Sequence, residues 1–160
     1  MKKIINSGLL IAFVAILASC AARTQTAATS QVSRSDVSGT WVVNNVSLEN
    51  FPTGTQLGNV FDMYPYQDFQ GSTWVLQGNG NGSVTLTNGA VQPIYWSVNK
   101  DMGFNTFEFK KIADGQRPRD VTTGYTLEFG DWTTENSVIK SPVMLSSGQK
   151  AYINFNLTKQ

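Results

Sequence analysis

The chain has 160 residues, with 12 basic and 11 acidic side chains, a single cysteine and no histidine. Without histidine it lacks the commonest general base and the commonest metal ligand, and one cysteine forms no disulfide within the chain. A net charge of +1 gives no long-range attraction for polyanions, so the composition argues against a nucleic-acid partner and against the usual nucleophilic or metal-dependent enzymes.

The first residues have the layout of a secretory signal. Lys2 and Lys3 supply a positive end, and a short apolar run from Leu9 to Leu17 is followed by small residues. The run is shorter than the roughly 20 residues that a membrane-spanning helix needs. Leu17-Ala18-Ser19-Cys20 resembles a bacterial lipobox, in which the cysteine thiol is acylated. Residues 1–19 are interpreted as a lipoprotein signal peptide and Cys20 as the lipidation site; an ordinary signal peptide with a chance cysteine is the alternative.

The mature chain that follows from this cleavage is the size of one domain. It loses Lys2 and Lys3, keeps 10 basic and 11 acidic residues, and has about 140 residues. Residues 20–36 are small and polar, which predicts a flexible tether. Ala21, where an aspartate would retain a lipoprotein at the inner membrane, resembles the outer-membrane pattern. The absence of an acidic run after Cys20 resembles lipoproteins on the periplasmic face, so we expect that location in the cell envelope rather than the cell surface.

From residue 37 to residue 160, apolar and polar residues alternate in short runs between glycine, asparagine and proline clusters. This period predicts strands, and connectors such as QGNGNG and TNGA contain the residues that tight hairpins require. Eight sequential strands with short links predict an all-β fold, an eight-stranded antiparallel up-and-down β-barrel; a β-sandwich is the alternative. The strands are predicted near Gly39–Val46, Thr73–Gln77, Ser83–Thr87, Ile94–Val98, Thr106–Ile112, Gly124–Phe129, Val138–Leu145 and Lys150–Leu157.

The segment from Leu48 to Gly71 is too long for a hairpin between the first two strands. It carries too many large apolar side chains to remain exposed to water. We therefore expect it to fold across one end of the barrel, with a helical turn around Gln56 to Met63. These side chains are Phe51, Leu57, Val60, Phe61, Met63, Tyr64, Tyr66 and Phe69.

Two stretches resemble the lipocalins. Gly39-Thr40-Trp41 is similar to their Gly-x-Trp signature, and FQGSTWVLQGNGNGSVTL, Phe69 to Leu86, resembles the lipocalin-like lipoproteins of Bacteroidetes. The resemblance implies a barrel whose closed end is plugged by Trp41. The chain departs from the pattern in three ways. Asp68 stands where these relatives often have a cysteine, no helix follows the last strand, and no arginine near the end is placed to stack on Trp41.

Few residues suggest catalysis. The glycines from Gly78 to Gly82 precede a strand, so they are interpreted as a hairpin turn rather than a phosphate-binding loop. Glu108 and Glu128 alternate with apolar residues, which predicts an outer, solvated face. A small basic patch lacks interleaved aromatic residues and is interpreted as a solvated loop; it comprises Lys110, Lys111, Arg117 and Arg119. No catalytic residue, metal site or cofactor is assigned, and we do not expect an enzyme.

The remaining signal is a set of aromatic side chains on the faces assigned inward. An eight-stranded barrel is just wide enough for side chains or one small ligand, so these rings either line a cavity or fill the interior. Tyr95, Tyr125 and Tyr152 are expected to add hydroxyl groups to the cavity. The ligand-binding candidates are Trp74, Trp96, Phe107, Phe109, Tyr125, Phe129 and Phe155.

The sequence therefore predicts an envelope protein, held at the membrane through acylated Cys20, that binds or carries a small hydrophobic molecule in its barrel. The alternative is a non-catalytic protein-binding barrel, an inhibitor or an assembly factor. It would have a filled interior and use Leu48 to Gly71 as its contact surface.

Overall fold

A computed structural model of the protein describes residues 32–101 and 103–160, so the predicted signal peptide, Cys20 and most of the predicted tether lie outside the described residues. The described chain confirms the predicted fold class. Eight antiparallel strands follow one another around a closed barrel, and the last pairs with the first. The strands are β1 (Gly39–Glu49), β2 (Thr73–Leu76), β3 (Asn81–Thr85), β4 (Val91–Asp101), β5 (Phe104–Lys111), β6 (Tyr125–Trp132), β7 (Asn136–Met144) and β8 (Lys150–Lys159).

Each predicted strand overlaps an observed one, but the predicted bounds are too short where strand ends are polar. β4 extends from Val91 to Asp101, whereas the alternation predicts only Ile94–Val98. Its polar end pairs with β5, as in the register of Asn99 with Thr106. Backbone hydrogen bonds to a neighbouring strand extend a ladder whatever the side chains are, so hydrophobic alternation underestimates strand length.

The chain before β1 is part of the folded domain from Val32 onward. A short helix, α1 (Arg34–Val37), is closed by a capping box in which the Ser33 side chain accepts from the Asp36 backbone and the Asp36 side chain accepts from the Ser33 backbone. Val32 and Val37 are buried in the core. Residues 32–36, which composition assigns to the flexible tether, therefore pack on the barrel. The burial of Val32 and Val37 and the capping hydrogen bonds outweigh the cost of ordering the polar residues around them.

The alternating topology gives the barrel two different ends. The N-terminal end carries α1 and the hairpin turns after β2, β4 and β6. The opposite end, called the mouth here, carries the turns after β3 and β7 and the long loop between β5 and β6. It also carries residues 50–72 between β1 and β2, called the lid segment.

The lid segment has local structure, but not at the predicted position. The helical turn expected around Gln56 to Met63 is wrong: Val60 and Tyr64 instead form an isolated antiparallel bridge around a tight turn. A 3₁₀ helix lies further on, at Tyr66–Phe69. Its N-cap is Pro65, whose fixed φ suits the start of a helical turn.

Candidate ligand-binding site

The seven aromatic residues predicted to face inward do so, and six of them are buried. Their rings contact one another across the barrel. The Phe107 ring centroid lies 6.2 Å from that of Trp74, 5.9 Å from Trp96 and 6.0 Å from Phe109. Phe155 lies 5.9 Å from Trp74. Aromatic side chains therefore occupy the middle of the barrel and form one continuous cluster.

The three tyrosines expected to add hydroxyl groups to the cavity do not share one position. Tyr95 lies between the buried residues Ile94 and Trp96, and Tyr152 lies between Ala151 and Ile153. Because successive side chains of a strand point to opposite faces, Tyr95 and Tyr152 point outward. The expectation was wrong for both.

Tyr125 is half-buried at the mouth, where its ring centroid lies 5.1 Å from that of Phe109. It is the only one of the three tyrosines that the described chain places at the aromatic cluster, so the polar groups of the candidate site are concentrated at the mouth.

At the N-terminal end, Trp41 is 1% exposed. Its indole nitrogen donates a hydrogen bond to the carbonyl oxygen of Val37 at 2.8 Å, and its ring centroid lies 5.1 Å from that of Trp132. Trp41 therefore lies beneath α1 at the end of the barrel where a plug is predicted.

A cation covers the Trp41 ring although the sequence offers no arginine there. The ammonium group of Lys159, at the end of β8, lies 5.2 Å from the ring centroid. A lysine at this position binds the ring face by the same cation–π attraction as a guanidinium. A sequence pattern that requires arginine misses Lys159, whereas a pattern that accepts any basic residue at the end of the last strand includes it.

Gly39, two residues before Trp41, has a conformation that explains why glycine stands there. Its φ is +142°, which side chains rarely adopt, and a Cβ built on it would lie 2.6 Å from Cε of Lys159. The glycine lets the Lys159 side chain pass close to the backbone on its way to the Trp41 ring.

The mouth is closed by Phe61 of the lid segment, which is 6% exposed. Its ring centroid lies 5.0 Å from Phe109 and 5.3 Å from Tyr125. It also lies 5.6 Å from both Phe69 and Phe155. One side chain of a loop thus inserts among three rings of the barrel wall and the Phe69 ring of the lid segment itself. The sequence predicts burial for this segment but does not single out Phe61 from its seven apolar companions.

Two polar contacts hold the residue after Phe61 to the barrel wall. The Tyr125 hydroxyl donates a hydrogen bond to Oδ2 of Asp62 at 2.8 Å, and the Lys111 ammonium donates to the Asp62 carbonyl oxygen at 3.1 Å. Burial, and next the hydrogen bond and charge of Asp62, raise the pKa of Tyr125 to about 12. The hydroxyl therefore keeps its proton, and with it the hydrogen bond, well beyond neutral pH.

The rest of the lid segment packs onto the core rather than forming an exposed apolar patch. Val60, Phe61 and Phe69 are buried, and the other predicted apolar residues are half-buried against the core. They are Phe51, Leu57, Met63, Tyr64 and Tyr66.

The two glutamates predicted on the outer face lie there. Glu108 accepts a hydrogen bond from Asn99 at 2.6 Å, and Glu128 forms an ion pair with Lys150 at 2.9 Å. Across residues 32–101 and 103–160, no three histidine, cysteine, aspartate or glutamate side chains are grouped to hold a metal ion. Within the same residues, no helix is long and apolar enough to cross a membrane.

A scan against protein-family models and searches among curated proteins and solved structures found no match to this chain. The eight-stranded barrel is compatible with a binding protein.

Proposed function

We propose that the protein is a lipid-anchored, lipocalin-like binding protein. It takes up a small, flat, apolar molecule through the mouth, into the space that the Phe61 ring occupies. The observation that carries the proposal is the insertion of Phe61, a loop side chain, among the aromatic rings of Phe69, Phe109, Tyr125 and Phe155. A ligand ring at this place makes the same edge-to-face and stacked contacts as the Phe61 ring.

The backbone of the lid segment favours its displacement. Phe61 and Asp62 have φ of 55° and 48°, the left-handed region, which costs roughly 1–2 kcal/mol for a residue that is not glycine. Aromatic pairs contribute about 0.5–1.5 kcal/mol each, so the rings around Phe61 hold it in place against this strain. A ligand that replaces those contacts relieves the strain at the same time, which lowers the cost of displacing Phe61.

The lining defines the chemistry of the ligand. Trp74, Phe109 and Phe155 present apolar ring surfaces, whereas the hydroxyl of Tyr125 lies at the outer edge of the site. A pocket lined by apolar rings with a polar group at one side is the usual make-up of a small-molecule site. We therefore infer a ligand with a flat hydrophobic body and one polar group, oriented toward the mouth.

The proposed anchor defines how the barrel is oriented relative to the membrane. Acylation of Cys20, which precedes α1, attaches the protein to the membrane on the side of the N-terminal end. The mouth is at the opposite end of the barrel, so in this proposal the ligand is exchanged with the aqueous side of the envelope, on the periplasmic face of the outer membrane.

The test is a titration of the mature chain, residues 20–160 with Cys20→Ser to keep it free of lipid, with the apolar fluorophore N-phenyl-1-naphthylamine. We expect saturable binding to the native lid, with energy transfer from Trp74 and Trp96 to the probe. Phe61→Ala, which removes the competing ring, should tighten binding at least fivefold. Tyr125→Phe, which frees Asp62, should speed association, because a lid over a mouth limits access.

Two controls make the result decisive. Tyr95→Phe removes a hydroxyl on the outer face and should change neither affinity nor rate. Phe104→Ala removes a ring that is 66% exposed at the N-terminal end and should likewise have no effect. If Phe61→Ala binds the probe and the chain with Phe61 does not, the ring is a permanent part of the core and the proposal fails.

That outcome would favour the rival function, a protein-binding barrel with a filled interior. The observation in its favour is the continuous packing of the aromatic cluster. Its contact surface would include a groove of about 330 Å³ between the lid segment and the β3–β4 turn, lined in part by Met63, Tyr64 and Val91. Tyr64→Ala would then abolish partner capture while leaving the barrel folded.

A further inference from the structure

We propose a second binding site, for an acidic saccharide, on the outer face of β4, β5 and β6. A cleft of about 850 Å³ lies between these strands and the loop of residues 112–124. This volume is within the range of small-molecule sites. The site is on the outer face of the barrel. Its lining shares Phe109 and Tyr125 with the mouth, but the proposal does not require a ligand in the barrel.

The floor of the cleft is a sheet surface of short polar side chains. Ser97, Glu108 and Thr126 lie side by side in register across β4, β5 and β6. In the next row Tyr95 lies beside Lys110. These residues alternate with buried aromatic residues and so point away from the core. Hydroxyl, carboxylate and amide groups next to the outward Tyr95 ring suit a ligand with many hydroxyl groups and a flat apolar face.

Glu108 is held in place by uncharged groups. Asn99 donates to its Oε2 at 2.6 Å, and the Thr106 hydroxyl lies 3.4 Å from its Oε1 and 3.4 Å from the Asn99 carbonyl oxygen, either of which accepts its single proton. None of the ion pairs in residues 32–101 and 103–160 involves Glu108, and each of its oxygens has a further lone pair for a ligand hydroxyl. A fixed carboxylate of this kind accepts from two neighbouring hydroxyl groups of a sugar.

The wall of the cleft carries an excess of positive charge. The Lys110 ammonium donates to the Val121 carbonyl oxygen at 2.7 Å, which fixes the loop over the strands. Arg117 and Arg119 share the single carboxylate of Asp120, at 2.7 and 3.8 Å. Three cations thus face two carboxylates, Asp120 and Glu108. The looser and more exposed guanidinium, that of Arg119, has the donors to bind a carboxylate of the ligand in bidentate fashion.

The two halves of the cleft together define the ligand class. A neutral sugar leaves the arginines unused, and a simple anion leaves the polar floor unused. A sugar that carries a carboxylate engages both. The chemistry therefore points to uronic-acid units rather than to an apolar molecule of the kind proposed for the barrel.

The experiment is isothermal titration calorimetry of the full chain in detergent with digalacturonic acid and, for comparison, lactose. We expect saturable binding of the acidic sugar only, weakened by added salt because the contacts at Arg119 are exposed. Arg119→Ala and Glu108→Gln should each weaken binding about tenfold, the effect of losing a hydrogen bond to a charged group. Ser97→Trp, which fills the floor from an outward position, should abolish it.

Lys100→Ala is the matched control, because it removes an exposed cation from β4 without touching the cleft, and it should bind like the unmodified chain. Thermal unfolding of every variant shows whether its fold is intact. Absence of saturable binding of digalacturonic acid overturns the proposal. So does an equal loss in Lys100→Ala, which means unspecific charge attraction, or unchanged binding in both Arg119→Ala and Glu108→Gln.

Discussion

Trp41 joins three parts of the chain, α1, β6 and β8, that are distant from one another in sequence. Its indole nitrogen bonds to the carbonyl oxygen of Val37 in α1, its ring contacts Trp132 of β6, and the Lys159 ammonium lies over the ring. One side chain therefore couples the first turn of the domain to the end of the last strand. This coupling is the observation that supports the predicted role of Trp41 as a plug.

We expect Trp41→Ala to lower the free energy of unfolding by about 3–5 kcal/mol, since a fully buried ring is lost and a cavity remains. Lys159→Ala should cost only about 0.5–1 kcal/mol, the size of an exposed cation–π contact. Denaturant unfolding measures both. The surface variant Phe104→Ala should stay within about 0.5 kcal/mol. A loss below about 1 kcal/mol in Trp41→Ala would contradict the role of this ring as a plug.

At the residue scale the sequence located Trp41 but not its partners. The Gly-Thr-Trp tripeptide is visible in the sequence, whereas Lys159 lies 118 positions later and meets the ring only when β8 closes on β1. The outward direction of Tyr95 and Tyr152 was readable from the alternation with their apolar neighbours. The expectation that both hydroxyl groups face the interior contradicted this alternation of inward and outward side chains.

The lid segment is the element with the clearest functional potential. It is fixed to the wall by Asp62, which accepts from Tyr125 and is also bound by Lys111 through its carbonyl oxygen. The pKa of Tyr125 is raised to about 12 from 10, so the folded protein holds this proton more tightly than the unfolded chain. The stabilisation is therefore complete below pH 10 and is lost as the pH rises toward 12.

We expect the free energy of unfolding to fall between pH 10 and pH 12, and to fall less in Tyr125→Phe, which has no proton to lose at this position. Denaturant unfolding over this range measures the difference, and the ultraviolet absorbance of tyrosinate follows the titration directly. Tyr95→Phe is the control, because it removes a tyrosine that does not touch Asp62. Identical slopes for Tyr125→Phe and the unmodified chain would show that the Asp62 contact does not contribute to lid closure.

Element positions were predictable where local chemistry decides them. Turn glycines such as Gly80 and Gly89 have φ of +96° and +86°, as the connectors QGNGNG and TNGA require. Helix α1 also had a local signal, the capping pair Ser33 and Asp36, which a composition-based tether assignment overlooks. The course of the lid segment had none, because its shape follows from the mouth that it covers.

At the scale of the whole molecule, the barrel has an N-terminal end, where α1 lies, and a mouth at the opposite end. The predicted anchor is inferred from the lipobox-like residues before Cys20 and lies outside the described chain. The closed β-sheet rests on the pairing of β8 with β1, from Trp41 with Lys159 to Glu49 with Tyr152.

We expect Cys20→Ser to leave the chain without lipid and to release it from the membrane fraction, since only the thiol accepts the lipid. Ser19→Ala, which keeps a small residue before the cysteine, should be processed normally. Mass spectrometry of the mature N-terminus checks both variants. A native protein that begins, unmodified, at any residue other than Cys20 would contradict the anchor.

The sequence by itself determined the class of fold, the number of strands and the inward side of the seven aromatic residues proposed to bind a ligand, because a period of two and turn chemistry are local properties. Only the tertiary structure decided that Phe61 enters the barrel, that Lys159 covers Trp41, and that Glu108, Lys110 and Arg119 border one cleft. The contacts of Phe61 with the barrel wall and of Lys159 with Trp41 join residues tens of positions apart, and the cleft depends on how the loop after β5 folds back over the strands. No periodicity in the sequence encodes them.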